Sequence, residues 1–217
     1  LAVLLNSLGA SPEFDQVLFD RTRWVEEFGG WLLGPSSLGV SLTGDKLICE
    51  RRLRQAGVPT VSSEIVPVEF LLDIEPDIRP PCVLKPRYGA GSQSIFLARD
   101  DESLCDMVHE WQAEGGPAEA MLQPFVRGLP ASIALLVGPR EIVPLAPVRQ
   151  HLSDDGRFCY LGGELPLEAG LAERARSLGH RAVRAIPGLR GYVGVDLVLG
   201  EDAASDRVIE INPRLTT

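Results

Sequence analysis

The chain contains 217 residues, of which 45% are hydrophobic and 24% are charged. This composition is typical of a globular protein and excludes a disordered chain, which lacks the apolar surface that offsets ordering entropy. The formal net charge of −9 argues against nucleic acid and anionic membranes as partners, because both bind to a basic face. No apolar run in the sequence reaches the roughly 18–20 residues needed to span a bilayer.

The start of the sequence and its cysteines bear on the origin of the chain. The sequence begins without a methionine, in an apolar run of five residues that is too short for the core of a signal peptide. We therefore expect it to start inside a longer protein. The four cysteines form no C-x-x-C pair, which favours incidental thiols in a reduced, cytoplasmic protein over a disulfide or zinc framework.

The first segment, residues 1–43, combines a strand-like start at 1–5, a helical pattern at 15–28 and a turn at Gly29-Gly30. This short series of elements looks like the tail of a domain that precedes it. We therefore expect residues 1–43 to be the remnant of an N-terminal α/β domain.

The remaining residues predict alternating helices and strands. Apolar residues at helical spacing indicate helices at 44–56, 102–114 and 168–186. Thr43 is the expected N-cap of the first of these helices. Short runs rich in Val, Ile and Leu indicate strands at 64–68, 82–85, 94–98, 121–123, 132–137, 141–145, 192–199 and 207–212. Tight turns such as Gly138-Pro139 require antiparallel pairing, so the predicted fold class is α+β.

The last two predicted strands form a hairpin whose alternation separates two faces. Val193, Val195, Leu197 and Leu199 fall on one face, which is expected to be core, and Ile209 and Ile211 are expected to join them from the second strand. A symmetric hairpin then places Asp196 directly opposite Glu210, and Gly194 opposite Asn212, on the other face.

Two opposed carboxylates point to a metal. Directly opposed side chains have Cβ atoms about 4.5–5.5 Å apart, and two charges that close repel by ~3 kcal/mol at an effective dielectric near 20. A hard divalent cation removes that cost, and Mg²⁺ accepts carboxylate and amide oxygens. Asp196, Glu210 and Asn212 are therefore candidate ligands. The alternative is that one acid is protonated or solvated.

A second candidate feature is the glycine-bearing loop that follows Lys85. Gly89 and Gly91 lie between two predicted strands, so the loop is neither a Walker loop nor a dinucleotide fingerprint, both of which need a following helix. The loop could fold over phosphates and donate hydrogen bonds to them from its backbone N–H groups. The alternative is an ordinary hairpin turn, which has the same sequence pattern. An ammonium at the end of an apolar strand favours an anionic partner for Lys85.

Two further segments have weaker signals. Lys46 lies near a helix N-terminus, where it opposes the helix dipole unless an anion binds there; the alternative is a solvated surface lysine. The apolar strand 121–126 leads into Arg127-Gly128, and exposed backbone N–H and C=O groups at its end could form hydrogen bonds with a flat heterocycle. The alternative is a core strand followed by a turn.

Taken in order, these segments resemble the ATP-grasp superfamily over residues 40–217. The resemblance rests on Asp45-Lys46, Val83-Leu-Lys-Pro86 with its glycine loop, Leu122-Gln-Pro-Phe-Val126, Gly194-Val-Asp196 and Glu210-Ile-Asn-Pro-Arg214. Within the superfamily, Gly191-Tyr-Val-Gly-Val-Asp196 and Pro130-Ala-Ser-Ile-Ala134 are most similar to the branch of carboxylate–amine ligases that contains tyramine–glutamate ligase.

The resemblance implies an ATP-grasp fold, with ATP between a small lobe at 44–122 and a large lobe at 123–217. It implies phosphate contacts from Lys46, Lys85 and the lid residues Gly89, Ala90, Gly91 and Ser92. It implies that Gln123, Pro124, Phe125 and Val126 line the adenine, largely through backbone groups. It also implies that Asp196, Glu210 and Asn212 hold Mg²⁺ or Mn²⁺.

The implied activity is ATP-dependent amide formation from a small-molecule carboxylate, with glutamate as first choice, and an amine, through an acyl phosphate. Lys85 and Arg214 would stabilise the reacting groups, and Arg149 and Tyr160 would contact substrate. Pro124 and Pro130 depart from the pattern, because many members have acids there, and this puts ribose contacts in doubt. The alternatives are a non-catalytic or regulatory ATP-binding module, and a kinase or carboxylase on the same scaffold.

Overall fold

The structure is a computed structural model that describes residues 2–3, 12–73, 76–89 and 94–215. The helices are α1 (Pro12–Glu27), α2 (Ser37–Gly44), α3 (Lys46–Gln55), α4 (Asp101–Ala113) and α5 (Ala169–Ala185). The strands are β1 (Ala2–Val3), β2 (Trp31–Leu32), β3 (Glu64–Pro67), β4 (Cys82–Lys85), β5 (Phe96–Ala98), β6 (Glu119–Pro124), β7 (Leu129–Val137), β8 (Ile142–Pro144), β9 (Val148–Leu152), β10 (Tyr160–Glu164), β11 (Gly191–Leu199) and β12 (Arg207–Asn212).

The larger sheet has six antiparallel strands in the order β10-β9-β7-β11-β12, with β8 beside β7. Helix α5 covers one face and packs its apolar side against Ile133 and Leu135 of β7. A side chain at Gly179 would place its Cβ 2.7 Å from Ile133, so only glycine permits this close approach. Cys49 and Leu53 of α3 complete the same core.

The smaller sheet has four antiparallel strands in the order β3-β6-β4-β5. Helix α4 packs Met107, Val108 and Trp111 against it, with Phe96 of β5 in the same core. Separate cores mean that each sheet has its own hydrophobic stabilisation, and the face of each sheet that its helix leaves open is available for a site.

The antiparallel α+β class predicted from the sequence is confirmed. The helices predicted at 102–114 and 168–186 are found within about one residue, at α4 and α5. The strands at 82–85 and 207–212 have the predicted bounds. Strands β9 and β10 were not predicted, because their mixed sequences, rich in polar residues and glycine, lack an apolar alternation.

The predicted N-cap at Thr43 is wrong. Thr43 lies inside α2, where its hydroxyl donates to the carbonyl oxygen of Gly39 at 2.8 Å. Asp45 caps the next helix instead, because its Oδ1 atom accepts from the backbone N–H groups of Leu47 and Ile48, both at 3.1 Å. The sequence pattern therefore merged the end of α2 with the start of α3.

Near the start of the chain, β1 pairs in parallel with β2, with α1 between them. The predicted helix at 15–28 is found as α1, whereas most of the strand predicted at 1–5 lies outside the described residues. The bounds of the N-terminal remnant and of the two lobes stay a prediction. No helix within the described ranges is both long and apolar enough to cross a membrane.

Candidate functional site

A cavity of about 580 Å³ lies between the open faces of the two sheets. It brings together twelve of the side chains singled out from the sequence, namely Lys46, Lys85, Gln123, Pro124, Phe125, Val126, Arg149, Tyr160, Asp196, Glu210, Asn212 and Arg214. Gly89 lies next to Lys46, whose Nζ atom donates to its carbonyl oxygen. The other predicted lid residues, Ala90, Gly91 and Ser92, lie outside the described residues.

The β11–β12 hairpin has the register expected from the sequence. Asp196 is directly opposite Glu210, and Gly194 is directly opposite Asn212. A β-bulge follows, so that Leu197 pairs with Val208 rather than with Ile209.

The bulge changes one part of the expected core. Val208 is fully buried in the core of the larger sheet, whereas Ile209 lines the cavity. The prediction that Ile209 points into the core is therefore wrong. The extra residue in β12 reverses the alternation at that point and leaves Glu210 facing the cavity.

Asp196 is the most strongly perturbed acid in the described part of the cavity. Burial, followed by repulsion from Glu210, raises its pKa to about 7. Two amides oppose this shift by donating to the carboxylate: Nε2 of Gln150 to Oδ1 at 3.0 Å, and Nδ2 of Asn212 to Oδ2 at 2.8 Å. Gln150 was not assigned from the sequence, because β9, which positions it, was not predicted.

The donor set around Asp196 fits a hard divalent cation. Two carboxylates and one amide side chain lie on one side of the hairpin, and a cation between the acids would remove the repulsion from Glu210 that, after burial, raises the pKa of Asp196. No group of three or more His, Cys, Asp or Glu side chains that could hold a metal occurs in the described ranges. Two acids match Mg²⁺, which takes its other ligands from water and substrate phosphates.

The cavity also contains both lysines of the sequence. Lys85 is 5% exposed at the end of β4, and burial lowers its pKa to about 8, with the nearby charge of Lys46 acting in the same direction and that of Glu210 opposing it. The Nζ atom of Lys46 is 3.5 Å from Oε1 of Glu210. A buried ammonium is costly without an anion, so this end of the cavity favours a ligand of higher negative charge than Glu210 alone provides.

Asp45 connects the start of α3 to the base of the glycine loop. Its carboxylate accepts from Nε and NH2 of Arg87 at 2.9 and 2.6 Å and from the hydroxyl of Tyr88 at 3.2 Å. Although burial opposes ionisation, the hydrogen bonds from Arg87 and the α3 backbone hold the pKa of Asp45 below its usual value. Asp45 therefore fixes the position of Lys46 relative to the strand that ends at Lys85.

The opposite end of the cavity is formed by the hinge segment, residues 123–126, where β6 leaves the smaller sheet. The backbone N–H of Phe125 donates to the carbonyl of Pro81 at 2.9 Å, so this group is not available to a ligand. The ring of Phe125 stacks on that of Phe158, with centroids 6.1 Å apart. Phe158 has a φ of +53°, which is uncommon for a bulky residue.

Phe158 belongs to the clasp loop, residues 153–159, which connects β9 to β10 and reaches the smaller sheet. The backbone N–H of Leu97 donates to the carbonyl of Gly156 at 3.0 Å. The guanidinium of Arg157 lies 3.8 Å from the ring centre of Phe96 and forms ion pairs with Glu110 at 3.2 Å and Glu114 at 2.6 Å. The clasp loop thus joins the two sheets across the apolar end of the cavity.

Polar side chains of β9 and β10 line the remaining wall. NH1 of Arg149 and Nε2 of His151 approach the same atom, Oε2 of Glu164, at 3.8 and 3.4 Å. Arg214 follows β12 and donates from NH2 to Oδ1 of Asn212 at 3.1 Å. Arg149, His151 and Arg214 line the same cavity as the predicted metal ligands.

Comparison with known proteins identifies the family. Residues 43–217 match the model of the ATP-grasp domain, and the chain therefore belongs to the ATP-grasp family. The resemblance drawn from the motifs is thus confirmed.

Two curated relatives are ligases. The chain is 27% identical over 218 residues to tyramine–L-glutamate ligase of Methanocaldococcus fervens, an alignment that covers 97% of this chain and 59% of that protein. It is 27% identical over 215 residues to D-alanine–D-alanine ligase of Desulfovibrio desulfuricans, covering 96% of this chain and 68% of that protein. The chain therefore spans less than two thirds of the length of the first of these relatives.

Solved structures agree on the fold. The crystal structure of an ATP-grasp superfamily protein from Archaeoglobus fulgidus matches with a TM-score of 0.68 at 27% identity, covering 94% of this chain and 56% of that chain. The predicted ATP-grasp fold of class α+β is thereby confirmed.

Proposed function

We propose that the chain carries the nucleotide site and the reaction centre of an ATP-dependent carboxylate–amine ligase. One observation carries the proposal: a single cavity combines two opposed acids, Asp196 and Glu210, with the buried cation of Lys85, while its far end is apolar. A nucleoside triphosphate matches this arrangement, with a flat, mostly apolar base at one end and charged phosphates at the other. The relatives with known activity at this level of similarity include two ligases.

In this proposal the base lies at the hinge segment and the phosphates lie at the charged end. Gln123, Pro124, Phe125 and Val126 line the base, with Phe158 on the same wall. Lys46 and Lys85 contact the phosphates, and the lid of Gly89, Ala90, Gly91 and Ser92 covers them. The adverse burial of Lys85 is then offset by the charge of the phosphates.

Asp196, Glu210 and Asn212 would hold Mg²⁺, and Mn²⁺ has the same ligand preferences. When bound, the cation would neutralise phosphate charge during transfer. The side chains have separate tasks. Glu210 and Asp196 accept the cation in ionised form, and Gln150 holds the Asp196 carboxylate in place through its amide N–H.

The reaction we propose has two steps. A carboxylate oxygen of the substrate attacks the γ-phosphorus, the bond from that phosphorus to the ADP oxygen breaks, and an acyl phosphate forms. The amine nitrogen then attacks the acyl carbon, phosphate leaves with the bonding electrons, and the nitrogen loses a proton. Lys85 and Arg214 stabilise the negative charge in both steps, since phosphoryl transfer depends mainly on positioning and charge neutralisation.

The substrates are small molecules, a carboxylate and an amine. Glutamate is the first candidate, because one relative is a tyramine–L-glutamate ligase. Arg149 and Tyr160 line the same cavity as Arg214 and are the proposed substrate contacts. A cytoplasmic location stays a prediction.

The first test is calorimetric titration of Mg²⁺·ATP into the unaltered chain and into Glu210→Gln. We expect binding to the unaltered chain and a loss of about 100-fold or more in the variant, because removing one of two charged ligands leaves the site with little hold on the cation. The exposed acid Glu201, in the loop of the same hairpin, provides the matched control Glu201→Gln, which should bind normally.

Product analysis then separates the reaction types. ADP release that requires both a carboxylate and an amine supports the ligase, whereas AMP and pyrophosphate contradict the acyl-phosphate route. The second candidate is a non-catalytic ATP-binding module, which Pro124 and Pro130 favour because prolines stand at two cavity positions. ATP binding without ADP release for any substrate pair would support that module.

A further inference from the structure

A chain of hydrogen bonds runs from α3 through the segment before β3 to the hinge segment. Nε2 of Gln123 donates to Oγ of Ser63 at 2.6 Å. The hydroxyl of Ser63 donates to Oε2 of Glu50, and the backbone N–H of Ser63 donates to Oε1 of the same carboxylate at 3.1 Å. Glu50 is 4% exposed and Gln123 is 7% exposed. We call these three residues the relay.

The relay has a fixed direction. A carboxylate only accepts hydrogen bonds, so Glu50 takes both the N–H and the O–H hydrogens of Ser63. The hydroxyl oxygen of Ser63 is then left with lone pairs, which accept from the next group. Only the NH₂ end of the Gln123 amide can donate to it, and this determines which way the amide points.

The oxygen of the Gln123 amide consequently points away from Ser63. Among the described residues, Oε2 of Glu64 is the one fully buried side-chain polar atom without a hydrogen-bond partner. Oε1 of Gln123 accepts no hydrogen bond from a described residue and is not such a fully buried atom, so it is accessible. Because Gln123 lines the cavity, we infer that this oxygen faces it. At the hinge end of the cavity, Gln123 therefore offers a hydrogen-bond acceptor, its amide oxygen, while its NH₂ group is occupied by Ser63.

We propose that Glu50 and Ser63 are positioning residues that set the base preference of the nucleotide site by orienting the Gln123 amide. The inference rests on the proposed function, in which the base lies at the hinge segment. An acceptor at that place pairs with the exocyclic amino group of adenine and opposes the 6-oxo group of hypoxanthine or guanine. Neither Glu50 nor Ser63 needs to contact the nucleotide for this effect.

If the relay orients the Gln123 amide, a nearly isosteric substitution at Glu50, far from the base, should alter which base the nucleotide site prefers. In Glu50→Gln, one of the two atoms that face Ser63 becomes an NH₂ group. The new NH₂ group cannot point at the backbone N–H of Ser63, because that N–H is itself a donor and cannot accept a hydrogen bond. The NH₂ group therefore donates to Oγ of Ser63. The Ser63 hydroxyl then donates towards Gln123, whose amide turns over and presents NH₂ to the cavity.

The test is calorimetric titration of Mg²⁺·ATP and Mg²⁺·ITP into the full 217-residue chain and four variants. ITP differs from ATP in the 6-substituent and the adjacent ring proton. We expect the unaltered chain to bind ATP at least about tenfold more tightly than ITP, because a mismatched buried acceptor loses its hydrogen bond. Glu50→Gln should shift the ATP:ITP affinity ratio towards ITP by about tenfold or more. Ser63→Ala, which frees the amide, should bring the ratio towards one.

Two controls separate the relay from general damage. Ser63→Thr keeps the hydroxyl and should keep the ratio. Ser62→Ala removes the hydroxyl that accepts from Arg54 at 3.0 Å, and because Arg54 also pairs with Glu50 at 3.6 Å, this variant tests the surroundings of Glu50 without altering the Ser63 hydroxyl and should keep the ratio as well. A thermal melt of each variant shows whether it is folded. A merely structural role for Glu50 would lower both affinities equally and leave their ratio unchanged.

The outcomes distinguish this inference from the function on which it rests. If neither nucleotide binds the unaltered chain, the nucleotide site and the relay are both overturned. If ATP binds but the ratio is the same in Glu50→Gln, Ser63→Ala and the unaltered chain, the relay alone is overturned. A ratio that moves in both variants and is kept in Ser63→Thr supports it.

Discussion

The two ends of the cavity are built in different ways. The charged end consists of side chains on regular strands, with Asp196 and Glu210 held opposite each other by the pairing of β11 with β12. The apolar end depends on the hinge segment and on the clasp loop, which is anchored by Arg157 rather than by a strand ladder. Charge is thus fixed by backbone register, whereas the apolar wall is fixed by contacts between residues distant in sequence.

This difference implies two kinds of response to mutation. Changes at the charged end should alter ligand binding strongly and leave the sheets intact, because strand pairing does not depend on those side chains. Changes at the clasp loop should alter both the stability and the closure of the two sheets, with a smaller effect on affinity. The four predictions below test this contrast.

Of these four, the largest effect is expected for Lys85→Met. The variant loses a buried cation that faces the proposed phosphates, so the affinity for Mg²⁺·ATP should fall about 10–100-fold. The ligand-free chain should become more stable by about 1–3 kcal/mol, because burial opposes the charge of Lys85. Calorimetry and chemical denaturation measure the two quantities, and a variant that is less stable than the unaltered chain would contradict the argument.

The second prediction concerns pH at the same end. The pKa of Asp196 is about 7 in the absence of metal, and a cation requires the ionised form. Below pH 7 the affinity for Mg²⁺ should therefore fall by about tenfold per pH unit. Titrations at constant ionic strength from pH 5.5 to 8 measure it, and an affinity that does not vary over this range would refute the prediction.

The same group links pH to stability with a defined sign. The folded-state pKa lies above the ordinary value, so between about pH 4 and 7 the folded chain binds more protons than the unfolded chain. The contribution of Asp196 to stability is therefore full below pH 4 and is lost as the pH rises through 7. Asp196→Asn should lack this part of the pH profile, whereas Glu201→Gln should keep it.

The smallest effect on affinity is expected for Arg157→Ala. The variant removes the contacts of the guanidinium with Phe96, Glu110 and Glu114, which should lower stability by about 1–2 kcal/mol. Affinity for Mg²⁺·ATP should fall by roughly three- to tenfold, since the sheets are no longer held together at this end. The exposed Arg140 supplies the control Arg140→Ala; equal losses in both variants would argue against a clasp.

The same contrast explains what the sequence could predict. The faces of β11 and β12 follow from alternation, and a hairpin with a short loop has few registers, so the opposition of Asp196 and Glu210 was predictable. The bulge that moves Ile209 out of the core was not, because no residue type requires an extra residue at that point.

The parts that were missed depend on contacts distant in sequence. Gln150 lies on β9, which carries Arg149, Gln150 and His151 in a row and so has no alternation of apolar residues. The clasp loop is a polar segment whose role comes from α4 and β5, which precede it by some 50 residues. One signal was available: both lysines of the chain fall within motifs of the candidate site.

That scarcity of lysines has a practical consequence. All other cationic side chains apart from histidine are arginines, so an amine-reactive reagent has two side-chain targets in the chain, Lys46 and Lys85. Lys85, with its pKa lowered to about 8 by burial, has a substantial neutral, nucleophilic fraction at mildly alkaline pH. Acylation of Lys85, followed by mass spectrometry, would therefore report occupancy of the cavity on unlabelled protein, since any ligand seated against this amine would shield it.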